Sequence, residues 1–194
     1  MNFKLASGIA VAAAAIAAAG LGTPNTAHAH MVKAPCDFVT SGGFIFKDDG
    51  SMGNFGAHGG CKNGEFWGHV NYVDHGTGYH INSTEITGYL WDPKVPNARD
   101  ICGKARLNDS DYEVYFRVRV VDNGEPGRND AFGIFVDNRH TAGDRFYRVS
   151  TRSLADDRNG GGNVQLHKSN PSTTAGPGFF ELRESDMCGD LDTP

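Results

Sequence analysis

Three histidines fall close together in the stretch GHVNYVDHGTGYHI, residues 68–81. They are His69, His75 and His80, and imidazole serves both as a metal ligand and as a general acid or base near neutral pH. The first chemistry to consider is therefore a metal site, which requires ligands that converge on one point. The alternative is a polar turn between two strands.

The same stretch has the pattern of a β-hairpin with the loop DHGTG, residues 74–78. A symmetric five-residue loop places Asn71 opposite Ile81, which leaves His69 and His80 on opposite faces and the third histidine at the tip. A slip of one residue would bring His69 and His80 to the same face. Because aspartate caps its own backbone and glycine supplies positive φ, we predict a structural turn here.

The chain opens with the features of a secretory signal. A lysine at position 4 precedes a long Ala-rich apolar run, which ends in an Ala-His-Ala cleavage sequence at 27–29. We predict a helical signal peptide over residues 1–29 that is removed on export. No second long apolar stretch follows, so we expect no membrane span after cleavage.

Cleavage there would make His30 the new amino terminus. An N-terminal histidine can bind copper through its amine and ring nitrogen, as in the copper-dependent polysaccharide oxygenases, which are also secreted β-sandwiches. The surrounding sequence HMVKAPCDF has no further similarity to those enzymes. His30 is therefore a candidate copper ligand on imidazole chemistry alone.

Two acidic loops are candidates for calcium, which prefers oxygen ligands. In VDNGEPGRND the oxygen-bearing side chains are Asp122, Asn123, Glu125, Asn129 and Asp130. In DDRNGGG they are Asp156, Asp157 and Asn159. Neither loop has EF-hand spacing, and acidic residues are common in turns for conformational reasons, so a structural turn is the competing interpretation.

Catalytic motifs are scarce. The sequence has no G-x-S-x-G, H-E-x-x-H, P-loop or dinucleotide glycine pattern. A glycosidase needs two carboxyl groups that meet only in space, and Asp74, Glu125 and Asp130 are the candidates for such a pair. Trp67, Tyr89 and Trp91 could instead stack on sugar rings, although aromatic residues in strands are more often part of the core.

The four cysteines, Cys36, Cys61, Cys102 and Cys188, all follow the signal, and their number is even. An oxidising compartment favours two disulfides, whereas the wide spacing does not fit a zinc site. Three connectivities are possible. Since Cys61 and Cys102 each lie at the end of a predicted strand, we predict that they pair, which leaves Cys36 for Cys188.

Strand patterns dominate the rest of the chain. In YEVYFRVRVV, residues 112–121, the apolar residues alternate. We expect Val114, Phe116 and Val118 to be buried, and Glu113, Arg117 and Arg119 to face solvent or the rim. Many short strands separated by Gly, Asp and Asn clusters predict an all-β, single-domain antiparallel sandwich or flattened barrel over residues 30–182. Residues 183–194 form a polar tail that we expect to be irregular.

Five segments resemble the post-COAP domain, a module of secreted bacterial proteins. They are CDFVTSGGFIF, FGAHGGCKNGEFWGHVNYVDHGTGYHI, ICGKARLN, VVDNGEPGRNDAFGIFV and GGGNVQLHK. The resemblance runs from about residue 36 to residue 168 and implies an extracellular β module. It implies no catalytic residue and no cofactor.

The charge of the chain limits its partners. The net charge is −5, and no stripe of Lys and Arg is present, which disfavours nucleic acid and anionic membranes. We therefore predict a secreted, disulfide-stabilised, non-enzymatic module that binds an extracellular glycan or protein. The alternative is a secreted polysaccharide-active enzyme, either a copper oxygenase or a glycosidase.

Overall fold

Ten antiparallel strands form one sheet in the computed structural model, which describes residues 30–32, 36–138, 145–155 and 159–194. The predicted signal peptide, residues 1–29, lies outside the described residues. The strands are β1 (His30–Met31), β2 (Phe38–Phe46), β3 (Met52–Lys62), β4 (Glu65–Asp74), β5 (His80–Asp92), β6 (Val95–Leu107), β7 (Glu113–Val121), β8 (Ala131–Asp137), β9 (Phe146–Ser153) and β10 (Gly160–His167). A 3₁₀ turn (Phe179–Glu181) and a short helix α1 (Glu184–Cys188) follow.

The strand order is β10-β2-β3-β4-β5-β6-β7-β8-β9, with β1 added to β5. Each strand from β2 to β9 therefore pairs with the next one in the sequence, and β10 returns to pair with β2. The sheet curls until it nearly closes into a barrel, with β10 and β9 as its two edge strands. The all-β antiparallel prediction is confirmed.

Strand β7 illustrates how alternation builds the interior. Val114, Phe116 and Val118 are buried in the main core, as predicted from the period of two. The prediction for the opposite face is wrong at Arg117, which is only 1% exposed, and the side chain of Arg119 is only 11% exposed. Arg117 is buried because another segment of the chain covers it, and Arg119 is half-buried beside it.

That segment is the C-terminal tail, residues 183–194, which contains α1 and is not wholly irregular. Helix α1 contacts β5, β6 and β7. Met187 and Cys188 pack with Leu90 and Cys102 in a small second core outside the barrel. Leu191 is buried as well. The tail is thus part of the folded domain and covers the outer face of three strands.

Ion pairs satisfy the polar groups beneath the tail. Arg117 Nη2 lies 2.5 Å from Asp100 Oδ2, and Arg117 also pairs with Glu184 of α1. The Nη1 atom of Arg117 donates to the Leu191 carbonyl at 3.0 Å. Arg119 Nε lies 2.7 Å from Asp100 Oδ1. Each buried charge has an opposite charge beside it, which burial of charge requires.

The disulfides join Cys36 to Cys61 and Cys102 to Cys188, so the predicted pairing of Cys61 with Cys102 is wrong. Cys36 and Cys61 belong to the main core, whereas Cys102 and Cys188 belong to the second core under the tail. Because successive side chains of a strand point to opposite faces, Cys102 on β6 points away from the side of the sheet on which Cys61 lies.

The hairpin between β4 and β5 also differs from the symmetric prediction. Asn71 pairs with Asn82 instead of Ile81, a slip of one residue. The slip places His80 on the outer face, where its Nε2 lies 3.0 Å from Nδ2 of Asn71. His69, two residues before Asn71, is on the same face.

The turn itself has the predicted chemistry. The Oδ1 atom of Asp74 accepts hydrogen bonds from the backbone N–H groups of Gly76 at 2.7 Å and Thr77 at 3.1 Å. Gly78 adopts a positive φ of 73°, in the region that favours glycine. The structural-turn prediction is therefore confirmed for the backbone of this loop.

Candidate ligand-binding surface

The outer face of β10, β2, β3 and β4 carries aromatic and imidazole side chains. We call this surface the aromatic–histidine face, and its residues are Phe38, Thr40, His58, Trp67, His69 and His167. They share one side of the sheet because they alternate with buried residues such as Val39 and Ala57.

An aromatic row crosses four strands on this face. His167 pairs with Phe38, Phe38 with Gly60, and Gly60 with Trp67. The rings of Phe38 and His167 stack with centroids 4.4 Å apart, and the Phe38 and Trp67 rings meet edge to face at 6.3 Å. Gly60 makes this possible, because a Cβ at that position would lie 2.6 Å from Phe38 Cβ.

Trp67 is the exposed end of this row, with 36% of its surface accessible. The Nζ atom of Lys62 lies 5.4 Å from the Trp67 ring centroid, within range of a cation–π interaction. A cleft of about 110 Å³ opens beside the ring. It is lined by Phe38, Cys61, Lys62, Trp67, Asn170, Ser172 and Thr173. An apolar ring thus lies next to several hydroxyl and amide groups.

An imidazole row runs beside the aromatic row. Thr40 pairs with His58, and His58 pairs with His69 across β3 and β4. Thr40 Oγ1 lies 2.8 Å from His167 Nε2, and His69 Nδ1 lies 3.0 Å from Ser83 Oγ. Partial burial, together with the neighbouring His69, lowers the pKa of His58. His58 is therefore predominantly neutral at pH 7.

A strip with small side chains completes the surface. Gly42 pairs with Gly56, which in turn pairs with Asn71. A Cβ at Gly56 would meet no heavy atom within 4 Å, so open space lies above these glycines. The strip forms a shallow depression beside the imidazole row, with the amide of Asn71 at one end.

The three predicted sugar-stacking aromatics lie in different environments. Trp67 is exposed on the surface. Tyr89 has no exposed area and donates its hydroxyl hydrogen to Asp37 Oδ1 at 3.0 Å. Trp91 is partly buried against the main core. Tyr89 and Trp91 therefore contribute to packing, and Trp67 is the candidate among the three for stacking on a ligand.

In the predicted calcium loop, residues 122–130, the carboxylates of Asp122 and Asp130 accept hydrogen bonds from backbone N–H groups. Asp122 accepts from the N–H groups of Gly124 at 2.9 Å and Leu166 at 2.7 Å. Asp130, which has no exposed area, accepts from Asn123 at 2.8 Å and Val164 at 2.6 Å. All four carboxylate oxygens of Asp122 and Asp130 thus accept a backbone hydrogen bond. Two of the donors, the N–H groups of Val164 and Leu166, lie on β10.

The other predicted calcium ligands are dispersed. Asn123 Nδ2 donates to the Asn129 carbonyl, and Glu125 is exposed, with Asn163 Nδ2 at 3.4 Å. Asp156 and Asp157 lie outside the described residues. Among the residues that are described, no three His, Cys, Asp or Glu side chains form a group able to hold a metal ion.

His30 is exposed on β1 and pairs with Trp91 near the end of β5. His80 lies at the opposite end of β5. The remaining described histidines are His58 on β3, His69 on β4, His75 in the following loop and His167 on β10. None of these belongs to a strand that pairs with β1.

The glycosidase candidates differ in exposure, since Asp74 and Asp130 are buried and Glu125 is exposed. Asp74 is fully buried, with Oδ2 located 2.8 Å from Lys47 Nζ and 2.6 Å from the Tyr147 hydroxyl. Burial raises the pKa of Asp74, but hydrogen bonds from Lys47, Tyr147 and the turn backbone outweigh it and lower the pKa overall. Asp74 therefore stays ionised, and it shares no hydrogen-bond partner with Asp130.

The sequence reasoning missed Phe38, His58 and His167. These residues are far from the 68–81 stretch in sequence and reach Trp67 and His69 only through the pairing of β10, β2, β3 and β4. The available signal was the alternation of Phe38 and His58 with apolar residues, which predicts a shared face but not the neighbouring strand.

Comparisons with protein-family models, with curated proteins and with solved structures found no match to this chain. Among the described residues, no helix has the length and apolar character needed to cross a membrane. The aromatic–histidine face combines an exposed aromatic ring with polar neighbours and open space.

Proposed function

We propose that this protein is a secreted, non-enzymatic β-domain that binds an extracellular glycan through the aromatic–histidine face. The observation that carries the proposal is Trp67, whose ring is 36% exposed and held in place by Phe38. A sugar ring presents an apolar face that stacks on an indole, and its hydroxyl groups need hydrogen-bond partners at the edge. Asn170 and Ser172 in the adjoining cleft provide such partners.

The extracellular location is part of the same proposal. Two disulfides in a small domain are compatible with an oxidising compartment, and a signal peptide is predicted from the first 29 residues. The resemblance to the post-COAP domain agrees with this location. The enzyme alternatives have less support, because Asp74 and Asp130 are buried and fully hydrogen-bonded and His30 belongs to a strand apart from the other described histidines.

The test is a glycan array probed with the exported protein and with Trp67→Ala. We expect wild type to bind one class of polysaccharide and Trp67→Ala to lose at least tenfold in affinity, since stacking on one aromatic ring contributes about 1–3 kcal/mol in comparable base–aromatic contacts. Phe146→Ala is the matched control, because Phe146 is an exposed aromatic on β9.

Thermal melting of both variants checks that each one folds. Equal binding by wild type and Trp67→Ala would exclude this surface as the site. An array on which wild type binds no glycan would contradict the glycan proposal and leave a protein partner as the next ligand to test.

A further inference from the structure

His58 and His69 face each other directly across β3 and β4. Both side chains are on the outer face of the sheet, with ring centroids 6.2 Å apart and planes inclined by 46°. A metal ion lies about 2.0–2.1 Å from each ligating imidazole nitrogen, which places the centroids of two neighbouring ligand rings about 4.5–5.2 Å apart. The observed separation is longer than this by about 1 Å, so rotation of the two side chains toward each other would bring two nitrogens to a common ion.

Each ring has a nitrogen available for such an ion. The Nδ1 atom of His69 lies 3.0 Å from Ser83 Oγ, which also accepts the Val70 N–H at 2.9 Å. When Nδ1 donates its hydrogen to that oxygen, Nε2 carries the lone pair and is free to ligate. A hydrogen bond of this kind commonly orients a ligating histidine.

His58 makes ring contacts with Trp67 and His69, and no hydrogen bond to its imidazole occurs among the described residues. Trp67 lies 5.0 Å from His58 between ring centroids, so an ion bound here would be close to an indole fluorophore.

We propose that His58 and His69 form a binding site for a divalent transition-metal ion of the class that prefers imidazole, namely Zn²⁺, Cu²⁺ or Ni²⁺. Two protein ligands leave the other coordination positions open to water or to an oxygen or nitrogen of a bound partner. The described residues provide no third His, Cys, Asp or Glu beside this pair. The site concerns the metal alone and does not depend on the glycan proposal.

The experiment is calorimetric titration of the exported protein with Ni²⁺ and Zn²⁺, without glycan. All variants carry His30→Ala, which removes a histidine that could bind metal at a new amino terminus. We expect one equivalent of metal ion to bind per protein chain. His58→Gln and His69→Gln should each weaken the binding of the ion at least tenfold, because each variant keeps only one of the two imidazole ligands. His75→Gln is the matched control, since His75 is an exposed histidine on the adjacent loop.

Fluorescence provides a second measurement. Cu²⁺ bound at this site should quench Trp67, and Trp67→Phe should remove most of the quenching while leaving the calorimetric stoichiometry unchanged. The proposal is overturned if the His58→Gln, His69→Gln double variant binds as tightly as its parent, or if the parent binds no ion at millimolar concentration.

Discussion

The outer surface of this barrel has two halves that differ in what lies on them. Over β5, β6 and β7 the C-terminal tail packs closely, and Arg117 beneath it is 1% exposed. Over β10, β2, β3 and β4 the outer face is more open, and Trp67 is 36% exposed. Both halves arise from the same alternation of side chains along antiparallel strands.

The side chains on the two halves differ because the C-terminal tail covers one half and leaves the other more exposed. Under the tail, polar side chains are paired with opposite charges, as with Arg117, Asp100 and Glu184. On the aromatic–histidine face, Trp67 and His58 are only partly covered and lie beside a cleft and a strip of glycines. The first arrangement serves stability, whereas the second leaves surface for a ligand. Variants of the two halves should therefore affect different properties.

Replacing both Cys102 and Cys188 with serine should lower the free energy of unfolding more than any other change considered below. The Cys102–Cys188 disulfide closes a loop with a sequence separation of 86, whereas the separation for Cys36–Cys61 is 25. The chain-entropy relation gives about 4–5 kcal/mol of stabilisation for the longer loop and about 3–4 kcal/mol for the shorter one. Urea unfolding of both double variants measures this ranking. A greater loss in the Cys36, Cys61 variant would contradict the view that this bond holds the tail.

Arg117→Ala should cost about 3 kcal/mol in the free energy of unfolding, at the lower end for breaking a buried ion pair, because Arg119 still neutralises Asp100. Denaturant melts provide the measurement. Arg183→Ala is the control, since its ion pair with Asp186 is exposed to solvent and should contribute little to the free energy of unfolding. If Arg117→Ala were as stable as wild type, the tail would not cover this face in solution.

The contact between the loop 122–130 and β10 can be tested at Asp130. Asp130→Ala leaves the Val164 and Asn123 N–H groups without their acceptor and should cost about 1–3 kcal/mol. Glu125→Ala, an exposed residue of the same loop, should change stability within about 0.5 kcal/mol. Thermal melts are compared with calcium and with a chelator. A calcium-dependent rise in wild type that is absent in Asp130→Ala would show that the loop binds calcium.

The aromatic–histidine face should also make a small pH-dependent contribution to folding stability, through His58. Because the pKa of His58 is lowered in the folded state, the unfolded chain binds more protons as pH falls through about 6.5, and folding stability decreases there. His58→Gln lacks this contribution, so its stability relative to wild type should improve from pH 7.5 to pH 5.5. His75→Gln is the control. If the difference in free energy of unfolding between wild type and His58→Gln does not change over that pH range, the pKa of His58 is not lowered in the folded state.

The sequence determined the features that depend on neighbours along the chain. Alternation in residues 112–121 predicted the buried face of β7, and the Asp and Gly residues of DHGTG predicted a turn in which Asp74 accepts its own backbone N–H groups. The even cysteine count predicted two disulfides. These features follow from φ, ψ and side-chain direction over a few residues, which local sequence controls.

The tertiary structure decided which distant groups meet. The one-residue slip in the β4–β5 hairpin, the separation of Cys61 from Cys102 and the burial of Arg117 all depend on strand register or on which segment covers a face. Likewise, His69 faces His58 and not the nearby His75, because β3 pairs with β4 along their length. Alternation specifies that a side chain leaves the core, but only packing decides whether it then meets solvent, another strand's side chain or the tail.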